Sequence, residues 1–437
     1  MNLEDKLVKL IGCRTVSDAD ERDESEFAKF REVFAELFPL IHAQLELTVI
    51  SDGTLLFRWP GRSDGKPIVM MAHYDVVPAP AEQWRNDPFT AVVVDGYVVG
   101  RGALDDKGPL VVIAEAVEQL LAQGHVPEQD VWLSFGHDEE VFGSGAAAVV
   151  DHFRTLGVRP WLVNDEGGAI VEKAIPGLRG RQAMIAIAEK GTVDIELLAT
   201  GPGGHASVPM PNGPTARLAK AIVRIEENQS PPRLSEPIIA MIDAMTSKAP
   251  SGLRTLIGQA ERLDRPLAQL LALAGPEASS MVRTTIAVTK LSGSPANNVL
   301  ATEARANLNV RLAIGDTIED LVARLTKLLR GLDVAIVNIN GDNPPPVSSV
   351  DSPAWHHLVD TLNDLDPKIL PIPYVLTGGT DSRNFAHISS SVFRFAPLEM
   401  SREQRQSIHA ANESVAVASL RSGVAFYRTL LTRPLPV

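Results

Sequence analysis

Cysteine is all but missing from this 437-residue chain, which carries Cys13 and no other. An internal disulfide is therefore excluded, and so is a metal site built on several thiolates. A single cysteine in an amphipathic N-terminal helix reads as core filler. The first residues, MNLEDKLVKLIGC, lack the charged-then-apolar pattern of a secretory signal. No apolar run is long enough to cross a bilayer, and the expected location is cytoplasmic, away from any membrane. Positive charge is also in short supply: 41 Lys and Arg face 54 Asp and Glu, for a formal net charge of -13. That balance argues against a nucleic-acid partner, which would favour a basic face. Internal repeats and low-complexity tracts are absent as well. What remains, 45% apolar and 22% charged residues, is the composition of a soluble globular protein, and the length favours two domains.

Against this background, five short segments rich in acid and histidine stand out, most of them after a strand-like apolar run. They are MMAHYDVV with His73 and Asp75, GRGALDDKGP with Asp105 and Asp106, SFGHDEEVFGSG with Glu139 and Glu140, LVNDEGG with Asp165 and Glu166, and SIHAANES with His409. Two imidazoles and several carboxylates form the ligand set of a two-zinc hydrolytic site. Carboxylates that hold metal also contribute to the acidic balance, and bound cations neutralise them.

The order of elements predicts where these segments meet. Helices are expected over 3–13 and 24–38, strands over 45–50, 53–59, 67–77, 131–137 and 160–165, and a helix from Pro109 to Gly124. Alternating strands and helices predict a layered α/β domain with a mixed, mostly parallel sheet. From about residue 188 to 343 the strands alternate more clearly, as in AMIAIAEKGTVDIELLATG, RTTIAVTKLSG and EARANLNVRLA, and two amphipathic helices accompany them. This predicts an inserted α+β domain with an antiparallel sheet, elaborated at about 229–280. The catalytic domain would then be discontinuous, 1–187 with 344–437, and end in a helix over about 412–431.

In open α/β sheets, ligands bind beyond the C-terminal ends of the strands. His73, Glu139, Glu140 and the pair Asp165–Glu166 each fall at such an end, and Asp105 lies in a Gly-rich loop entering a helix. Residues i and i+2 of an extended segment point the same way, so Asp75 can buttress His73. Glu139 and Glu140 point apart, so one can hold metal while the other faces substrate as general base.

In this order and context, the motifs resemble those of the zinc-dependent aminoacylase and carboxypeptidase family that includes carboxypeptidases G and S. GHDEEVFGSGA, VNDEGG and IAEKG point to the carboxypeptidase S branch. The resemblance implies that His73 binds one zinc, Asp105 bridges two, Glu139 is the general base, and Glu140 and His409 bind the second zinc. The remaining ligand is Asp165 or Glu166. Cobalt or manganese could substitute for zinc. In the insert, GPGGHAS implies a lid histidine, His205, that a partner subunit offers to stabilise the oxyanion, making a homodimer through a lid and dimerisation domain. NNVLATEARANLNVR and GGTDSRNF imply substrate contacts from Asn298, Arg311, Gly379, Thr380 and Arg383. The implied activity is cleavage of an amide next to a free carboxylate in small peptides or N-acyl amino acids. Alternatives are an N-acyl-amino-acid deacylase or desuccinylase, and a catalytically silent metal- or peptide-binding relative, against which the intact Glu139–Glu140 pair argues.

Overall fold

The computed structural model describes residues 1–172, 180–246 and 264–435. The chain divides into two compact units, one formed by residues 1–187, 346–374 and 380 onward, the other by 188–345 and 375–379.

The first unit is built on a ten-stranded mixed sheet. At its centre, Ile68–His73 runs parallel to Val131–Gly136 on one side and to Leu162–Asp165 on the other. Val392–Arg394 continues the parallel set beside Leu162–Asp165. Every residue of the first two strands is buried, because apolar layers cover both faces of the sheet. Successive side chains alternate between those layers. Met70 and Leu133 enter a core shared with Phe27, Phe30, Phe34 and the helices Lys107–Ala122 and Val417–Thr432. Val69, Met71 and Trp132 enter the opposite one with Val149 and Phe153 of the helix Gly145–Leu156. Thr54–Trp59 and Glu46–Ile50 extend the sheet antiparallel on one flank.

The second unit carries a four-stranded antiparallel sheet in the order 285–292, 303–312, 191–200, 335–341. Ala304, Ala306, Leu308, Val310 and Leu312 are buried beneath the helices Pro214–Glu227 and Ile318–Leu329. The intervening Arg305, Asn307 and Asn309 bind Glu196 and Asp194 on the other face, the period-two pattern of a one-sided sheet. The elaboration contains helices Glu236–Thr246, Asp264–Leu273 and Pro276–Val282, with 247–263 outside the described residues.

Three features depart from the sequence reading. The strand Arg181–Glu189, read with the insert, pairs into the large sheet of the first unit. Val375–Gly379 groups with the second unit. The last helix starts at Val417, because Ser414–Ala416 forms a strand with the hairpin Val92–Val94 and Tyr97–Val99. The hairpin turns at Asp95 and Gly96, both at positive φ, the conformation for which an Asp-Gly turn is suited.

Candidate metal centre

His73 and Asp165 end two adjacent parallel strands at their C-terminal edge, and Glu139 opens a single 3-10 turn just past a third. Asp75 ties these ends together. Its carboxylate lies 3.3 Å from Nδ1 of His73, and it accepts from the backbone amides of Glu139 and Glu140 at 3.2 and 3.0 Å. The His73 Nδ1 also meets the Asp75 carbonyl at 3.0 Å, which leaves Nε2 facing the acidic cluster.

The small three-stranded sheet brings in the other side of the site. Pairing of Ser414 with Val99 sets the loop after residue 99 against the loop before residue 414. The first loop carries Asp105 and the second His409. Glu413 locks the two together. Its carboxylate, fully buried, accepts from Arg101 Nη1 at 2.5 Å and from the amides of Gly102, Leu104 and Asp105 at 3.2, 2.6 and 3.0 Å. Lys107, also buried, donates from Nζ to the carbonyls of Leu10 and Cys13 and so ties the same loop to the end of the first helix. Neither anchor was picked out in the sequence. Glu413 lies within the IHAANE string itself, but nothing in the string marks a glutamate that would be wholly buried.

In the resulting arrangement, one oxygen of Asp105 lies 3.0 Å from His73 Nε2 and the other 3.0 Å from His409 Nε2. Glu140 approaches the same His409 nitrogen at 3.2 Å. Donor atoms of His73, Asp105 and Glu140 all lie within 4.8 Å of one another. Thus a single carboxylate spans two imidazoles. Asp165 is buried, its two oxygens accepting from the amides of Glu166 and Ser382 at 3.0 and 2.9 Å. His409 itself sits at φ 60°, a left-handed conformation uncommon for a non-glycine residue and frequent at functional sites.

The electrostatics call for cations. Burial pushes the Glu139 carboxyl well above its usual range, with help from Asp381, Glu140 and Asp105 and against His73. Burial and the neighbouring Asp165 and Asp106 do the same to Glu166. Asp381, missed in the sequence, is raised to about 8 by burial and then by Asp165. Asp105, like Asp75, goes the other way: although burial opposes it, hydrogen bonds from His409 and His73 hold it below the ordinary range. Its bonds to Asp105 and Glu140 raise His409 to about 10. Buried oxygens of Asp106, Glu140, Glu166 and Asp381 have no hydrogen-bond partner. Carboxyl groups crowded this closely, with lone pairs unsatisfied, fit divalent metal ions, whose charge inverts the local balance. Hard oxygen donors combined with imidazole nitrogen are a donor set suited to zinc.

The remaining predicted residues fall into two groups. In the first unit, Thr380 is buried with its hydroxyl 2.6 Å from Ser382 Oγ, and Arg383 donates to the Thr380 carbonyl at 2.9 Å. In the second unit, the short strand Gly204–His205 pairs with Val299–Leu300, and Ala206 donates its amide to the Asn298 carbonyl. His205 is exposed, and its Nδ1 accepts from Ser207. Arg311 donates to Thr192 Oγ1 at 2.7 Å, and Gly379 also belongs to this unit. The string Gly61-Arg62-Ser63-Asp64-Gly65 has the spacing of a serine-nucleophile elbow, but it lies in a loop that leads into a strand, with Ser63 Oγ bound to the Glu128 carbonyl. An elbow needs a strand-to-helix turn, so this string is not one.

Comparison with known proteins agrees with this geometry. Residues 69–433 match the model of peptidase family M20/M25/M40. The chain is 32% identical to a probable carboxypeptidase S-like 2 of Dictyostelium discoideum over 441 residues, 99% of this chain and 85% of that one. It is 30% identical to N-fatty-acyl-amino acid synthase/hydrolase PM20D1 of Xenopus tropicalis, over 94% of this chain and 81% of that one. Its fold matches the M20 family metallo-carboxypeptidase Sso-CP2 from Sulfolobus solfataricus with a TM-score of 0.72 at 18% identity, covering 99% of both chains. The chain belongs to peptidase family M20/M25/M40 and is a metal-dependent hydrolase.

Proposed function

We propose that the chain hydrolyses an amide bond adjacent to a free carboxylate in small peptides or N-acyl amino acids, using two zinc ions. The observation that carries this reading is the Asp105 carboxylate set between His73 and His409, each 3.0 Å from a different oxygen. In this reading His73, Asp105, Glu140 and His409 hold the metals, together with Asp165 or Glu166. The ions, when bound, supply Lewis acidity to the scissile carbonyl and make water a nucleophile at neutral pH.

The chain's own groups do the rest. Burial, with the carboxylates around it, raises the proton affinity of Glu139, which suits it to take the proton of the attacking water and pass it to the leaving amine. Asp75 fixes both the His73 ring and the turn that presents Glu139. Arg383, Arg311 and Asn298 are assigned to the substrate's carboxylate and carbonyl, with Thr380 and Gly379 lining the pocket. A guanidinium can grip a carboxylate through two parallel hydrogen bonds. The names of the relatives, a carboxypeptidase and an N-fatty-acyl-amino acid hydrolase, favour substrates of this kind.

A panel of dipeptides and N-acyl amino acids, each with a free and an amidated C-terminus, tests the reaction. Hydrolysis of the free acids with loss of one or more orders of magnitude on amidation is expected. Equal rates on both forms would remove the carboxylate from the proposal.

His205 is assigned to the oxyanion in a partner's site, which requires a homodimer. Mixing His205→Ala with Glu139→Gln protein should restore activity through hybrid dimers. Subunit exchange without recovery would place the His205 role elsewhere.

A further inference from the structure

The turn that presents Glu139 and Glu140 ends in a residue that is unfavourable twice over. Phe142 adopts φ 52° and ψ 45°, the left-handed region, which costs a bulky side chain about 1 kcal/mol or more. Phe142 is 52% exposed, and Val141 beside it is 45% exposed. An exposed apolar pair is ordinary alone; one held in a strained backbone is not.

The conformation is enforced from several sides. Phe142 donates its amide to the Glu139 carbonyl, and Gly143 to that of Asp138, both at 2.8 Å. The Asp138 carboxylate accepts from the Gly145 amide at 3.1 Å, and Asp75 holds the amides of Glu139 and Glu140. The phenyl ring is positioned too. The Arg383 guanidinium lies 5.2 Å from its centroid while bonded to the Thr380 carbonyl, an arrangement in which cation and ring attract. A fixed apolar surface therefore begins one residue after Glu140 and reaches the arginine assigned to substrate.

We propose that Val141 and Phe142 form an apolar platform that receives the acyl chain of the substrate, and so set a preference for N-acyl amino acids with longer apolar acyl groups. This rests on the reading of the site as an amidohydrolase. The platform explains both unfavourable features of Phe142: the strain aims the ring away from the core, and substrate covers the exposed surface.

The test compares N-acetyl-, N-butanoyl- and N-hexanoyl-leucine with wild-type protein, Phe142→Ala, Phe142→Gly and Phe142→Leu. For a chain half covered by the platform, kcat/KM should rise on the order of twofold per methylene in the wild type. Over the four methylenes that separate them, the hexanoyl-to-acetyl ratio would then be roughly sixteenfold. In Phe142→Ala and Phe142→Gly the ratio should fall toward one, chiefly through KM, as expected when binding shared by ground and transition states is removed. Phe142→Leu should recover part of it. The glycine variant guards against misfolding, since glycine suits this φ and should keep the melting temperature.

An equal loss on all three substrates, with the ratio unchanged, would overturn the platform and show that Phe142 serves only the turn. So would a flat wild-type profile. If no amide in the panel is hydrolysed, the amidohydrolase reading fails by itself. Calorimetric binding of N-hexanoyl- and N-acetyl-leucine then decides the platform: a chain-length preference present in wild type and lost in Phe142→Ala supports it, and equal affinities overturn it.

Discussion

Glu139→Gln should keep its metal ions and lose turnover by about 10²- to 10⁴-fold, the usual worth of a positioned general base. The substitution preserves shape and removes the group to which transfer of the proton from water to amine is assigned. Its amide nitrogen still reaches the Asp75 carboxylate through the backbone, so the turn and the neighbouring Glu140 should stay in place. KM should change far less than kcat. Metal analysis and steady-state kinetics on the same preparation check this. Near wild-type turnover with metal retained would show that another group moves the proton, and Asp381, buried nearby and raised to about 8, would be the first to examine.

Glu413→Ala should be the most destabilising single change at the site. It leaves the Arg101 guanidinium, 2% exposed at its side chain, buried without its carboxylate, and orphans the amides of Gly102, Leu104 and Asp105. Breaking a buried ion pair by removing one partner costs roughly 3–5 kcal/mol. Denaturant unfolding of the metal-free protein should register a loss of that size. Metal content should drop as well, because the loop that carries Asp105 loses its anchor to the loop that carries His409. Glu413→Gln, which keeps an acceptor oxygen for the amides, should fall between. Unfolding within about 1 kcal/mol of wild type would contradict the role given to this carboxylate, since surface substitutions already cost up to half of that.

Much of the first unit was legible because buried parallel strands leave a plain mark. The run through Met70 and Met71 is nearly all apolar, as is VWLSFG; the first ends in His73, and the second is followed at once by His137, Asp138, Glu139 and Glu140. What failed was local or fell below the level of pattern. VVVDGYVV is a hairpin signal in plain sight, but its strands are three residues each and pack into a satellite sheet. Missing it also moved the start of the last helix, since Ser414–Ala416 forms a strand only because Tyr97–Val99 is there to pair with it. Arg181–Glu189 alternates like a one-sided strand in sequence, yet it pairs with Ile170–Glu172 and Val392–Arg394 of the large sheet, and most of it is buried.

Within the site, residue type and strand-end position singled out His73, Glu139 and Glu140, and a Gly-rich loop entering a helix singled out Asp105. The same logic could not find Glu413, Lys107 or Asp381. Each is charged and wholly or nearly buried, a combination that sequence statistics assign to the surface. Burial of such groups depends on partners far away in the chain: Arg101 and Glu413 are 312 residues apart, Lys107 and Cys13 94. The choice between Asp165 and Glu166 belongs to the same class. Asp165 has both oxygens on backbone amides, and Glu166 keeps a buried oxygen without a partner.

The central claim is that Asp105 bridges two metal ions held by histidines from opposite ends of the chain. A crystal structure of protein prepared with zinc, with anomalous diffraction recorded on both sides of the zinc edge, measures this directly. Two peaks about 3.5–4 Å apart are predicted, one beside His73 and one beside His409, with an Asp105 oxygen on each and either Asp165 or Glu166 completing the set. A single peak, or two peaks with Asp105 bound to only one of them, would contradict the account.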